Sequence, residues 1–429
     1  MKIRMTALVL VLVLALSTVP VLAQEPADQV AASAQDQTDT AEGEAAQEPS
    51  PAGPDQDGAE PEPDPEGTVR FASLERRIRA SNLQIRALDE NIAALEELDY
   101  EEIQEDLRQL LNQLSAMQWG MGAMGDSYTQ NTLKQTYDAT REQFEAIRDG
   151  ELQEDNAGLA WQLRNLQDQI VMGGETLYTA LASMEIQARS LERQLDAMDR
   201  TVEEMELRYE LGQISALQLQ QTKAGRTSLA SGLETLRMNL TTYKLQLELL
   251  LGEPLAGTIV LDGVPEVTAS QLEAMDLEQD LDRARENSYE LYAAEQDLED
   301  ARETYRDTGA QYGYRPGDSR YTAALHTWQA AQYTYEAAKQ DYELRFRTLY
   351  AQVQDYAQVL EAARVALESQ RAACEAQELK YRQGTISQNT LLTARDDLAA
   401  AEETVEQAED NLFTAYNSYC WAVEHGILN

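Results

Sequence analysis

Apolar residues recur at alternating steps of four and three along two long stretches of this chain. The first stretch runs from Leu177 to Tyr209 and resumes from Leu229 to Leu250, after a break that contains glycine and serine. The second stretch repeats this pattern from Leu349 to Tyr381 and from Ala401 to Ala422. Such spacing is typical of long helices that pack as a coiled coil. The chain is therefore predicted to be all-α, with two tandem repeats of a long antiparallel coiled-coil helical hairpin.

The break between the two arms has the same pattern in both repeats, namely glycine, a polar residue, isoleucine and serine. The four positions are Gly212, Gln213, Ile214 and Ser215 in the first repeat, and Gly384, Thr385, Ile386 and Ser387 in the second. Glycine suits the left-handed position that ends a helix, and serine can cap the free amides that begin the next one. The isoleucine can pack on a leucine in the next helix, Leu219 or Leu391, as a hydrophobic staple. We therefore expect both hairpin tips to be tight and rigid.

The N-terminal part of the chain is predicted to be a targeting segment followed by a tether. Residues 1–23 have a basic start, the apolar run Ala7–Leu16 and a small-residue cleavage site ending at Ala23, as in a secretory signal peptide. An uncleaved membrane anchor is the alternative for this segment. Residues 24–67 hold thirteen acidic and no basic residues, so they cannot bury enough apolar surface to fold. We interpret them as a disordered, acidic, proline-rich tether.

Two helical repeats occupy the rest of the chain. Repeat one is assigned to residues 68–252, the inter-repeat linker to 253–274 and repeat two to 275–429. Long proline-free stretches rich in alanine, leucine and glutamate favour helix in both repeats. The first segments of the repeats also match, because Val69–Ala94 resembles Met275–Ala301. Repeat one is longer around the crossover that lies opposite the tips.

The charge of the chain restricts its partners. The formal net charge is −42, and the acidic residues outside the tether are spread along the predicted helices. No basic patch is present in the sequence to meet phosphates, so nucleic acid is not expected as a partner.

The two cysteines, Cys374 and Cys420, lie on opposite arms of the second hairpin at very different distances from its turn. The hairpin register therefore separates them by far more than the roughly 7 Å between Cα atoms that a disulfide allows. We expect Cys374 to be buried in the seam and Cys420 to be partly accessible, with no bond between them.

The sequence contains no constellation of catalytic residues. The only histidines, His326 and His425, are far apart and lack metal-ligand spacing, and no glycine-rich phosphate loop is present. The adjacent acids Asp396 and Asp397 are interpreted as part of a solvated helix face. We therefore predict a protein that is not an enzyme and has no cofactor.

An apolar and aromatic cluster is predicted at the end of the molecule opposite the tips. Its members are Met117, Trp119, Met121, Met124, Tyr312, Tyr314 and Tyr321. One interpretation is that these side chains pack together and close that end. The other is that they contact a partner or lipid, since an exposed apolar patch usually marks an interface.

The tip motifs resemble those of the TolC-like outer-membrane efflux protein family. The resemblance rests on Leu207–Ser215 and Leu379–Ser387, which stand at matching positions of a tandem repeat, and on the helix ending Leu249–Gly252. It implies a homotrimer whose long helices form a tube. It also implies tips that contact a periplasmic adaptor of the membrane-fusion type, which is itself bound to an inner-membrane transporter. The implied partner-docking residues are Tyr209, Gly212, Gln213, Ile214, Ser215, Tyr381, Gly384, Thr385, Ile386 and Ser387.

The sequence departs from this family where membrane strands are expected. A membrane strand needs roughly 9–11 alternating residues. Repeat two offers only Thr308–Arg320, which contains three glycines and a proline, and repeat one offers only the glycine-rich Met117–Ala123. The predicted fold is therefore TolC-like without a recognisable membrane β-barrel.

Two classes of function follow from these patterns. The first is a helical conduit subunit of an envelope efflux or secretion system, docking through its tips onto an adaptor. The second is a structural or scaffolding coiled-coil protein of the cell envelope without a conduit. The repeated tip motif favours the first, whereas the lack of recognisable membrane strands favours the second. Either protein would be exported to the cell envelope, and the family resemblance implies the outer membrane.

Overall fold

The computed structural model describes residues 64–65, 67–124 and 127–428. The predicted signal peptide, residues 1–23, and the predicted tether up to residue 63 lie outside the described residues. The last part of that tether is held against the first helix, because the carboxylate of Asp64 pairs with the guanidinium of Arg77 at 2.7 Å. Asp64 therefore packs with repeat one.

The described residues of repeat one form a short strand and six helices. Its elements are β1 (Thr68–Val69), α1 (Phe71–Ser81), α2 (Leu83–Glu96), α3 (Tyr100–Met124), α4 (Ser127–Arg148), α5 (Glu151–Glu210) and α6 (Ala216–Leu250). Helix α5 has 60 residues and spans about 90 Å, since an α-helix rises about 1.5 Å per residue. The hairpin of this repeat consists of α5 and α6, joined at the turn that contains Gly212.

Repeat two follows a linker and has fewer helices before its hairpin. The linker holds β2 (Val260–Leu261) and α7 (Ala269–Glu273). Repeat two consists of α8 (Leu277–Asn287), α9 (Tyr289–Tyr312), α10 (Ser319–Arg382) and α11 (Gln388–His425). The hairpin consists of α10 and α11. Strand β2 pairs in parallel with β1, so that Thr68 lies opposite Val260. The prediction of an all-α fold built from two long hairpins is confirmed.

Ion pairs establish that the arms of each hairpin run antiparallel. In the first hairpin, pairs further from the turn join residues further along α6 and further back along α5: Lys223 with Glu206, Arg237 with Glu192, and Lys244 with Glu185. The second hairpin shows the same progression from Arg395 with Glu378 to Arg364 with Glu409. The register inferred from the apolar seam is therefore present in both repeats.

The internal alignment of the two repeats is visible where their first helices break. Asn82 begins α2, and its side-chain oxygen accepts hydrogen bonds from the backbone amides of Gln84 and Ile85. Ser288 begins α9, and its hydroxyl accepts a hydrogen bond from the backbone amide of Leu291. Both residues are short polar N-caps at the same point of the repeat. Repeat one then inserts α3 and α4, which explains its greater length around the crossover.

The seam of the second hairpin is buried as the apolar pattern predicts. Val353 is fully buried, and Leu360, Leu367 and Cys374 continue the buried row toward the tip. Cys374 is buried and Cys420 is partly exposed, and both thiols are free. The predicted positions of the two cysteines are therefore confirmed.

Of the two interpretations of the apolar and aromatic cluster, the structure does not support the one in which all its side chains pack together. Trp119 is 81% exposed on α3, so its ring does not pack against repeat two. Tyr305, Tyr314 and Tyr321 instead form a group within repeat two, where Tyr305 also stacks on Trp328 with ring centroids 5.0 Å apart. The insertion of α3 and α4 directs the Trp119 segment into a helical hairpin of its own.

The two segments considered as strands in the sequence are helical or form a turn. Met117–Ala123 lies inside α3, and Thr308–Arg320 comprises the end of α9, a turn and the start of α10. In the part of the chain that the structure describes, no helix is long and apolar enough to cross a membrane.

Two tyrosines attach the long helices to the segments packed around their bases. The hydroxyl of Tyr178 on α5 lies 2.7 Å from the carbonyl oxygen of Gly263 and 3.2 Å from that of Val69. The hydroxyl of Tyr342 on α10 lies 2.8 Å from the carbonyl oxygen of Ala284. Both tyrosines are fully buried, and each hydroxyl finds its hydrogen-bond partner in a backbone carbonyl.

We expect the substitution Tyr178→Phe to destabilise the fold. Removing the hydroxyl deletes its hydrogen bonds to the carbonyl oxygens of Gly263 and Val69, which should lower the free energy of unfolding by about 1 kcal/mol. The matched control is Tyr333→Phe, because Tyr333 is exposed on α10; its effect should stay within about 0.5 kcal/mol. Urea denaturation followed by circular dichroism measures both. Equal stabilities of the two variants would contradict the role assigned to Tyr178.

Candidate functional site

The first hairpin tip ends α5 with a left-handed glycine. Gly212 has φ of +70°, a conformation that residues with a Cβ atom rarely adopt. The amide of Gln213 donates a hydrogen bond of 2.8 Å to the carbonyl of Arg208, and the amide of Gly212 donates one of 2.9 Å to Tyr209. These two bonds form a Schellman motif, which satisfies the last carbonyls of the helix.

The second tip repeats this geometry. Gly384 also has φ of +70°. The amide of Thr385 donates to the carbonyl of Lys380 at 3.0 Å, and the amide of Gly384 donates to Tyr381 at 2.9 Å. The hydroxyl of Thr385 donates to the same Lys380 carbonyl at 2.9 Å. The predicted equivalence of the two turns therefore extends to their individual hydrogen bonds.

Each tip begins its returning helix with the predicted serine cap. The hydroxyl of Ser215 accepts the amide of Gln218, whose side chain in turn accepts the amide of Ser215 at 2.9 Å, which completes a capping box. The hydroxyl of Ser387 accepts the amide of Thr390 at 3.2 Å. Ile214 and Ile386 follow the glycines and are half-buried.

The tips expose apolar side chains around an uncharged turn. Tyr209 is 45% exposed and Tyr381 40% exposed, and Leu211 beside the first turn is 63% exposed. The middle residues of the turns, Gln213 and Thr385, are exposed as well. Exposed apolar residues grouped at one place are typical of an interaction surface. We call the ten predicted docking residues together the tip surface.

A row of polar contacts between α5 and α11 holds the two tips side by side. Arg200 on α5 pairs with Asp396 on α11. Closer to the turns, the side-chain amide of Asn389 donates a hydrogen bond of 3.2 Å to the carboxylate of Glu204. The tip surface is therefore one surface built from both repeats.

The same row continues away from the tips as an ion-pair ladder. Arg193 pairs with Glu403, and Arg189 pairs with Glu406. The sequence does not indicate this ladder directly, because the paired residues belong to different hairpins. The signal that could have found it is the spacing of basic residues on α5, which places Arg189, Arg193 and Arg200 on one helix face.

Asp396 has a structural role that differs from the solvated face expected for it. Its carboxylate pairs with Arg200, and its backbone carbonyl accepts a hydrogen bond of 3.0 Å from Arg193. Asp397 is exposed beside it. Within the described residues, no group of three or more histidine, cysteine or acidic side chains is arranged to hold a metal ion.

The two histidines lie in different surroundings, one packed at the end of α11 and the other on the surface of α10. His425, at the end of α11, has its ring Nδ1 3.1 Å from a carboxylate oxygen of Asp168 and its ring 4.4 Å from that of Trp421. The hydrogen bond with Asp168 raises the pKa of His425, although burial acts in the opposite direction. His326 is exposed on α10.

Comparison with known proteins bears on the fold. No family model matches the sequence, and the search of curated proteins gives no match. The solved structure of the outer-membrane channel OprN aligns with a TM-score of 0.50 and 14% sequence identity, covering 83% of this chain and 90% of that one. The channel protein CusC aligns with a TM-score of 0.47 and 14% sequence identity, covering 83% of this chain and 96% of that one. The outer membrane protein VceC of Vibrio cholerae aligns with a TM-score of 0.44 and 12% sequence identity, covering 82% of this chain and 96% of that one.

The alignment to OprN shows that this chain has the fold of an outer-membrane channel subunit with long helical hairpins. The predicted resemblance to the TolC-like outer-membrane efflux proteins is therefore confirmed at the level of the fold.

Two glycines in different backbone conformations, Gly384 at a tip and Gly232 within α6, predict opposite effects of substitution by alanine. Gly384→Ala should lower the free energy of unfolding by about 1 kcal/mol, because a Cβ atom is strained at positive φ. Gly232 lies in the middle of α6, where an added Cβ would meet no atom within 4 Å. Gly232→Ala should therefore raise the free energy of unfolding by about 0.5–1 kcal/mol. Thermal and urea denaturation distinguish the two signs, and stabilisation by Gly384→Ala would contradict the turn geometry.

Proposed function

We propose that this chain is the conduit subunit of an envelope efflux or secretion system and that it docks onto an adaptor protein through the tip surface. The observation that carries the proposal is the pairing of two turns with the same backbone geometry at one end of the molecule. In a scaffold rod, nothing requires the two tip turns to have the same backbone hydrogen bonds. Two matching docking units are what an adaptor with repeated binding elements requires.

The charge distribution supports docking at the tips. The chain carries 76 acidic and 34 basic residues, and most helix faces are therefore charged. The eight turn residues between Gly212 and Ser215 and between Gly384 and Ser387 include no charge. A partner can cover them without removing an ion from water, which is the costly step in burying a charged surface.

Exposed apolar side chains on the long helices support assembly into an oligomer. Met238 on α6 and Leu344 and Val365 on α10 are each exposed by more than three-fifths of their surface. A single chain leaves these side chains in water, and packing against a neighbouring subunit would bury them. By family resemblance we propose a homotrimer in which the hairpins form the wall of a tube.

The remaining parts of the proposal follow from the family resemblance. The adaptor is a periplasmic protein of the membrane-fusion type, and an inner-membrane transporter supplies the cargo. The protein is exported to the cell envelope and is placed at the outer membrane, where the channel OprN is described. The chain acts by forming a passage rather than by catalysis, and it uses no cofactor.

Charge insertion at the turns tests the docking step. Gln213→Lys combined with Thr385→Lys should abolish co-purification of the adaptor and export of the cargo, because each lysine must be desolvated in the docked complex. Helicity and oligomer size should be unchanged, since both side chains are exposed.

The matched control for this variant is Asn239→Lys, an exposed position on α6 far from the tips. It adds the same type of charge and should bind the adaptor as the wild type does. Normal adaptor binding and export by the Gln213→Lys, Thr385→Lys variant would refute docking through the tip surface.

The oligomeric state separates a conduit from an envelope scaffold. We expect light scattering of the purified chain at micromolar concentration to give a mass three times that of the 48.0 kDa monomer. A monomer under these conditions, with helicity intact, would count against the conduit and favour the scaffold. A charge introduced on the proposed subunit contact, as in Val365→Glu, should reduce the trimer fraction.

A further inference from the structure

An open cavity of about 630 Å³ lies beside the α5–α11 contact, at the end of the ion-pair ladder that is further from the tips. Part of its wall is apolar and comes from Ala182 and Ala188 of α5 and from Leu261 and Val264 around β2. A volume of this size suits a small organic molecule. The rest of the wall is strongly acidic.

The acidic residues that α5 contributes to the cavity have basic partners on α6. Glu185 pairs with Lys244 at 2.8 Å, and Glu192 pairs with Arg237 at 2.8 Å. These carboxylates are therefore neutralised within the first hairpin.

Two of the acidic residues that α11 contributes also have basic partners, and Arg364, the partner of Glu409, is shared with Glu266 and Glu361. Glu406 pairs with Arg189 of α5, and Glu409 pairs with Arg364 of α10 at 3.1 Å. Arg189 is the basic residue in the wall of the cavity, and its charge is already balanced by Glu406.

Asp410 is the exception among these carboxylates. Its side chain is 6% exposed, and its Oδ2 atom is buried without a hydrogen-bond partner. Burial raises the pKa of Asp410 to about 7, and the neighbouring Glu406 and Glu409 add to the effect, whereas Arg189 opposes it. A buried carboxylate without a partner is costly and is normally paired.

The ladder explains why Asp410 has no partner. Its rungs join Arg200 to Asp396, Arg193 to Glu403 and Arg189 to Glu406. The next α11 residue on this face is Asp410, but α5 provides Ala182 and Glu185 on the cavity wall where the next arginine would be needed. The small side chain of Ala182 leaves room in front of the carboxylate.

We propose that this cavity binds a small organic cation whose ammonium group pairs with the carboxylate of Asp410. The cation takes the place of the missing arginine of the ladder, and its hydrocarbon part lies against Ala182, Ala188, Leu261 and Val264. A divalent metal ion fits less well, because it needs several oxygen ligands and the other lining carboxylates already have basic partners. This site is independent of the docking role proposed for the tips.

Binding should depend on pH in a defined direction. The charged groups on the walls are Glu185, Arg189 and Glu192 from α5, and Glu406, Glu409 and Asp410 from α11. Burial raises the pKa of Asp410 to about 7, so this carboxylate titrates near neutrality. The ammonium binds the ionised carboxylate, so affinity should be full above pH 7 and should fall as the pH drops through that value.

Isothermal titration calorimetry of the full chain with 1-adamantylammonium chloride at pH 8 tests the proposal. We expect one site per chain for this probe and no binding of 1-adamantanol, which has the same shape without the charge. Asp410→Asn should weaken binding at least tenfold, whereas the control Asp397→Asn, which removes an exposed charge from the same helix, should leave it unchanged. Lowering the pH to 5.5 should also weaken binding of 1-adamantylammonium to the wild type at least tenfold.

The folding of the Asp410→Asn variant is checked separately. Its thermal midpoint at pH 8 should be no lower than that of the wild type, because the substitution removes a buried charge that has no partner. Absence of 1-adamantylammonium binding to the wild type, or equal affinity in Asp410→Asn, would overturn the proposal. A change in oligomer size caused by Asp410→Asn would also overturn it, since Asp410 would then meet a basic side chain of a second copy.

Discussion

The contact between α5 and α11 is the constraint on which the rest of the structure depends. Each hairpin closes on its own apolar seam. The α5–α11 ladder fixes how the two hairpins lie together. Arg193 and Glu403 are mostly buried, with side chains 19% and 18% exposed. Partly buried ion pairs add little net stability, but breaking one is costly. A slip of one hairpin along the other would break several pairs at once, so the ladder specifies a single register.

This register connects the two ends of the α5–α11 contact. Toward the turns, the contacts of Arg200 and Glu204 with α11 bring two equivalent tips to the same level, and the tip surface exists as one surface for that reason. At the other end, the ladder stops where α5 has Ala182, and Asp410 is left without a partner. The proposed docking surface and the proposed cation site are thus both consequences of which residues α5 places opposite α11.

Local patterns made much of the fold predictable from the sequence. The heptad spacing predicted the hairpins, and glycine and serine predicted the tips, because a turn is determined by the few residues that form it. The match of Asn82 with Ser288 likewise depends on a cap and its nearest amides. The position of Cys374 followed from the seam alone.

Contacts between the two hairpins were not predictable in this way. The ladder joins α5 to α11 across some two hundred residues, for example 217 between Arg189 and Glu406, and no period in the sequence indicates which helix faces meet. The sequence left open whether Trp119 packs or stays exposed for a related reason, since the insertion of α3 and α4 separates two ends that a simple repeat would join.

The most direct test of this account is the distance between the two tips in solution. Spin labels attached through Gln213→Cys and Thr385→Cys, in a chain carrying Cys374→Ala and Cys420→Ala and diluted with unlabelled protein, report it by pulsed electron paramagnetic resonance. We expect one narrow distance distribution, which should broaden when Arg193→Gln and Arg200→Gln remove two rungs of the ladder. The control Arg237→Gln, which removes an ion pair inside one hairpin, should leave it narrow. A broad distribution in the parent, or no change on removing both rungs, would contradict the claim that the ladder sets the tips side by side.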